Sequence, residues 1–190
     1  MATVTTSSRL PERWPTAVGL ILAAGAAAVI LGLDVDEIAD EFAPGVATMM
    51  GIYLAAYAIG APVTAWLAFA VLVVVAALVG DLLDVNAGVA MTAVLGLLWL
   101  WILARGRSSD RPWFTIQTLG MVFFGGLTIA AVAADARLAG ILAGVGWLTH
   151  GVWDAYHFAK DRVVVRSWSE LCAVVDIPVG TLLIVVSIVR

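Results

Sequence analysis

Residues 62–80 read PVTAWLAFAVLVVVAALVG, an unbroken apolar stretch without one charged side chain. That is the length and composition of a helix crossing the roughly 30 Å hydrocarbon core of a bilayer. The preceding stretch, from about 43 to 60, is also apolar, and a single helix over 43–80 would be about 57 Å long at 1.5 Å per residue. Gly60-Ala61-Pro62 therefore divides the two as a tight hairpin.

Working outward, five further apolar runs fall at roughly 16–33, 87–104, 113–133, 138–159 and 169–189. The whole chain of 190 residues is 63% hydrophobic and 13% charged, with a mean hydropathy of +1.04. This composition excludes a water-soluble globular domain. The expected fold is all-α: a polytopic transmembrane bundle of seven helices, forming one domain over 16–190 behind a polar tail at 1–15. The first run follows Arg9 and Arg13 and contains small residues, so cleavage there as a signal peptide would leave six helices. The single cysteine, Cys172, rules out an intramolecular disulfide.

Basic residues collect in alternate loops, which predicts orientation. With the amino terminus inside, Arg9, Arg13, Arg105, Arg107, Arg111, Lys160, Arg162 and Arg166 lie in the cytoplasm, leaving Arg137 and Arg190 outside with the carboxy terminus. Asp34, Asp36, Glu37, Asp40 and Glu41 fall in the first outer loop, Asp81 and Asp84 in the second, and Asp135 in the third. The pattern suits a multi-pass protein of the inner membrane whose constant partner is lipid, with a homo-oligomer or a membrane complex as further assemblies. The net charge of −4 argues against nucleic-acid binding. The acidic run DVDEIADEF lacks the glycine and spacing of a calcium loop.

Ionisable groups within lipid are costly and mark functional sites. The chain's two histidines share the sixth run with an aspartate, as His150-x3-Asp154-x2-His157. At 100° per residue they lie on one stripe with Ala143 and Gly146, bordered by Gly140, Gly144, Trp147 and Gly151. Ile141, Val145, Leu148, Val152, Ala155 and Ala159 fall on the opposite, lipid-facing side. The seventh run carries a matching stripe of Ser169, Cys172, Asp176, Gly180, Leu183 and Ser187, with Leu171, Val174, Pro178 and Val185 facing away. In an antiparallel hairpin turning near 163–164, His150 comes level with Asp176, and His157 with Glu170. Gln117, Thr118, Tyr57 and Thr64 sit near the same depth on other helices. The Gly140-x3-Gly144 spacing is a helix-packing signal.

Neutral imidazoles and carboxylates at positions i, i+4 and i+7 suit a transition metal such as Zn or Fe. The candidate ligands are His150, Asp154, His157, Asp176 and Cys172, with Asp154 or Asp176 as general base in a metal-dependent enzyme acting on a lipid-like substrate. The same groups suit a proton or ion pathway, and equally a structural polar cluster in an accessory subunit. Lys160, the one lysine, lies beyond the helix and excludes a retinal Schiff base. Two histidines two turns apart on one helix do not face each other across a haem.

The stretch His150-Gly-Val-Trp153-Asp154-Ala-Tyr-His157, with Trp168 and Cys172-Ala-Val-Val-Asp176 after it, resembles a signature of small uncharacterised bacterial integral membrane proteins. It covers the last two helices and implies that these residues act as one unit. More loosely, the chain is similar to the seven-helix zinc hydrolases of the ceramidase and adiponectin-receptor superfamily. That likeness implies a zinc site within the bundle, here with two histidines where the superfamily uses three.

Overall fold

The computed structural model describes residues 13–83 and 85–190, without the side chains of residues 80–83. Most of the expected tail, with Arg9, lies outside the described residues, as do Asp84 and the side chain of Asp81. Among the described residues there are seven α-helices and no strand: α1 Trp14–Gly32, α2 Val35–Ile59, α3 Ala65–Leu83, α4 Ala87–Ala104, α5 Arg111–Val132, α6 Ala136–Lys160 and α7 Arg166–Val189. Six of them are long and apolar enough to cross a membrane. The exception is α6, whose polar stripe lowers its hydropathy. The chain is a multi-pass membrane protein.

The helices alternate up and down, which gathers the loops at two ends. At one end Arg162 pairs with Asp110 at 3.4 Å, and Tyr57 donates to the Arg107 carbonyl at 2.9 Å. This basic end also holds Lys160 and Arg166. Arg137 and Arg190, at the other end, cap the carboxyl ends of neighbouring helices. Arg190 donates to the carbonyls of Leu33 and Leu31 at 2.7 and 2.9 Å, and Arg137 to that of Ser187 at 3.0 Å. Both satisfy orphan carbonyls at a carboxyl terminus, where a cation is also favoured by the helix dipole.

α2 is the axis of the bundle, packed against α3, α4, α5 and α6. Every residue from Met50 to Ala58 is buried. Its alanines and glycines let neighbours approach closely: a Cβ on Gly51 would lie 3.0 Å from Leu72 of α3. α1 and α3 are apolar all round and turn Leu20, Ile21, Leu67 and Val74 outward, as lipid-facing helices do.

One expectation is corrected. α2 begins at Val35, so Asp36 to Glu41 form its first turns instead of a loop. Glu37 accepts the Asp34 backbone N–H at 2.9 Å, one half of a capping box, and acids at an amino terminus are favoured by the helix dipole. Leu171, on the side of α7 away from the polar stripe, is buried because α1 covers it: a Cβ on Gly19 would stand 3.0 Å from the Leu171 carbonyl.

The α2–α3 hairpin turns where expected. Gly60 ends α2 at φ +76°, and a Cβ there would also strike the Arg107 guanidinium that caps the Ile59 carbonyl at 3.1 Å. Gly60→Ala is expected to lower stability by about 1–3 kcal/mol, the cost of a non-glycine residue held in the left-handed region. Thermal unfolding in detergent measures it, and an unchanged midpoint would refute the assignment.

Candidate metal centre between α6 and α7

α6 and α7 make the most extensive helix pair in the protein. Their backbones meet at glycines: a Cβ on Gly180 would lie 2.4 Å from the Leu148 nitrogen and 2.7 Å from the Gly144 carbonyl. Ordinary side chains would hold the helix axes 8–10 Å apart. Gly140 and Gly151 make equally close contacts with Ser187 and Ile177. The Gly140-x3-Gly144 spacing is therefore a packing device, and it brings a short aspartate within reach of the facing helix.

Asp176 is that residue. Its Oδ2 lies 3.0 Å from His150 Nδ1, and Asp154 Oδ2, one turn along α6, lies 3.2 Å from the same nitrogen. The level pairing of His150 with Asp176 thus holds. All three are essentially closed to solvent, at 1%, 0% and 2% exposure. They form a group whose candidate donor atoms lie within 4.8 Å of one another.

A fourth polar group comes from α2. Tyr53, fully buried, donates its hydroxyl to Asp154 Oδ1. Asp154 is therefore held at both oxygens, by a phenol on one side and an imidazole on the other. A tyrosine inside an apolar run carries no sequence signal that separates it from packing or an interfacial belt, so periodicity does not find Tyr53. The ring of Phe124 on α5 packs edge-on to His150 at 5.0 Å between centroids and closes the remaining side.

The other predicted residues lie apart. His157 Nδ1 donates to the Trp153 carbonyl at 2.9 Å, which leaves Nε2 to accept from the Gln117 amide at 3.1 Å. Its ring packs among Tyr53, Trp153 and Trp113 at 4.7, 4.6 and 5.7 Å. Cys172, a half-buried residue, has a free thiol outside the group of three. Glu170, expected beside His157, faces α1 instead and accepts from Thr16. Of the polar groups at neighbouring depth only Gln117 bonds a residue of the stripe. Thr118 receives the Trp99 indole N–H at 3.0 Å, Tyr57 bonds the Arg107 loop, and Thr64 bonds its own turn at the Ala61 carbonyl.

Charge is the unusual property of this centre. Two carboxylates share one imidazole, and among the described residues the only Lys or Arg paired with a carboxylate is Arg162, at the basic end. Ionised carboxylates with one imidazolium still leave a net negative charge in a dry interior, where isolated charge is strongly disfavoured. A further proton or a metal cation removes it.

The spacing accommodates a metal. Donors bound to one ion at about 2.0–2.1 Å stand roughly 3.0–3.4 Å apart, the range of the His150–aspartate separations. Three buried polar atoms of the interior lack protein partners, His150 Nε2 in the centre, Gln117 Oε1 beside His157 and Ser169 Oγ on α7, although buried polar atoms are ordinarily satisfied. No protein-family model, no curated protein and no solved structure matches this chain, and its chemistry is read from its own residues.

Proposed function

We propose that this is a metal-binding protein of the inner membrane, its amino terminus and basic end in the cytoplasm, with a divalent transition metal such as Zn or Fe held by His150, Asp154 and Asp176. The observation that supports this reading most directly is the convergence of three donors from two helices at a fully buried point, where no Lys or Arg among the described residues pairs with the carboxylates. Tyr53 would orient Asp154, as partners of ligating carboxylates do. A metal bound there would supply Lewis acidity, and an aspartate that leaves the ion would act as general base on a lipid-like substrate.

The closure of the site favours a second reading. Donors at 0–2% exposure suit an ion or a proton better than a bulky reactant, and a histidine flanked by two aspartates is a suitable way-station in proton- or ion-coupled transport.

Elemental analysis of detergent-purified protein, prepared without chelators and exposed to Zn and Fe, separates the two. Near-stoichiometric metal in the wild type, lost in His150→Ala and Asp154→Ala at matched folding, is expected. Well-folded wild-type protein that stays metal-free under those conditions would overturn the metal reading and direct attention to proton flux.

A further inference from the structure

On the outer face of the bundle, α5 and α6 splay apart to leave a groove of about 420 Å³. Its walls include Leu119, Phe123 and Val152, which are exposed at 64%, 47% and 62% and thus face hydrocarbon. Its base is formed by Phe124 and Trp153. Phe124 is also the ring against His150, and Trp153 packs on both Tyr53 and His157, at 6.1 and 4.6 Å. One layer of aromatic rings therefore separates the groove from the His150–Asp154–Asp176 centre. Gly120 makes this layer possible, since a Cβ there would stand 2.7 Å from the Trp153 ring.

The groove also has a polar and charged end. Val152, Tyr156 and Lys160 follow one another at turn spacing on the same face of α6. Tyr156 lines the groove, and the Lys160 ammonium sits 5.7 Å above its ring. Arg111, exposed, begins α5 at the same end of the bundle.

We infer that this groove binds one acyl chain of an anionic glycerophospholipid, with the phosphate at Lys160 and the chain against Phe124 and Trp153. A slot lined by apolar side chains at membrane depth takes a hydrocarbon chain, and cations at its mouth select a negative headgroup. The binding site stands on its own observations. Its use as the route by which a substrate lipid reaches the centre rests on the proposed function.

The test uses the full chain in vesicles containing phosphatidylglycerol or phosphatidylcholine with a photoactivatable diazirine in the acyl chain, the cross-linked peptides being mapped by mass spectrometry. The phosphatidylglycerol probe is expected to label α5 and α6 several-fold more than the phosphatidylcholine probe. Val152→Trp, which fills the groove from an exposed position, should abolish that labelling, and Lys160→Gln should abolish the headgroup preference. If Val152→Trp does not fold, Leu119→Trp fills the same groove from α5. Equal labelling by both probes, labelling spread evenly onto α3, or labelling that survives the filled groove would each overturn the inference. Metal content measured on the same samples keeps the two ideas apart: intact groove labelling on metal-free protein sinks the proposed function and leaves the lipid site standing.

Discussion

His150→Ala is expected to lower stability by about 3–5 kcal/mol, the loss found when one partner is removed from a buried ion pair. His150 Nδ1 stands between two carboxylate oxygens at 3.2 and 3.0 Å. Without it Asp176 loses its only hydrogen-bond partner among the described residues, while Asp154 keeps Tyr53. The penalty comes from stranded charge, so it should be reversible by neutralisation. The triple variant His150→Ala, Asp154→Asn, Asp176→Asn is expected to regain most of the stability, since amides bury without charge and hydrogen-bond one another. It should not regain metal. Chemical unfolding in detergent, followed by tryptophan fluorescence, reads the first property, and elemental analysis reads the second. A His150→Ala loss below about 1 kcal/mol would mean that the two carboxylates are not charged in a dry interior. A triple variant that still holds metal would place the ion elsewhere.

The same centre shows what periodicity does and does not encode. The stripe through His150 and Asp154 is legible because polar residues are rare on α6 and a helix fixes the face of each one. Asp176 follows from the arithmetic of a short hairpin, and the close approach that makes the contact real follows from Gly144 and Gly180. Tyr53 is different: α2 beyond its acidic first turns is apolar on nearly every side, so nothing in its pattern marks one face as inward, and only the tertiary arrangement brings its hydroxyl to Asp154. Leu171 illustrates the same gap. Its position on α7 is read as facing away from the polar stripe without revealing what covers it, and the choice of neighbours in a bundle of similar helices is made by small-residue contacts such as Gly19 on Val174. The acidic run after Asp34 misleads for another reason. Charge density suggests a loop, yet acids at a helix amino terminus stabilise the helix.

Gly180→Val should separate α6 from α7 and dismantle the centre without touching a ligand. The atoms facing Gly180 are backbone, the Leu148 nitrogen at 2.4 Å and Cα at 2.8 Å and the Gly144 carbonyl at 2.7 Å from an added Cβ. No rotamer change moves backbone aside, so α7 must shift as a unit. Asp176 lies one turn away on the same face, and the shift carries its carboxylate from His150. Overpacking of this kind costs about 1–3 kcal/mol, occasionally more. Loss of ligand positioning should weaken metal affinity about 10–100-fold, as removal of groups that orient ligands does. Thr181→Val is the control. Its side chain is exposed and bonds only the Ile177 carbonyl of its own helix at 2.8 Å, so both stability and metal content should stay near wild type. Should Gly180→Val instead unfold at the wild-type midpoint and retain its metal, the glycine contact would not be what holds Asp176 against His150, and the centre would have to be positioned by α2 through Tyr53 alone.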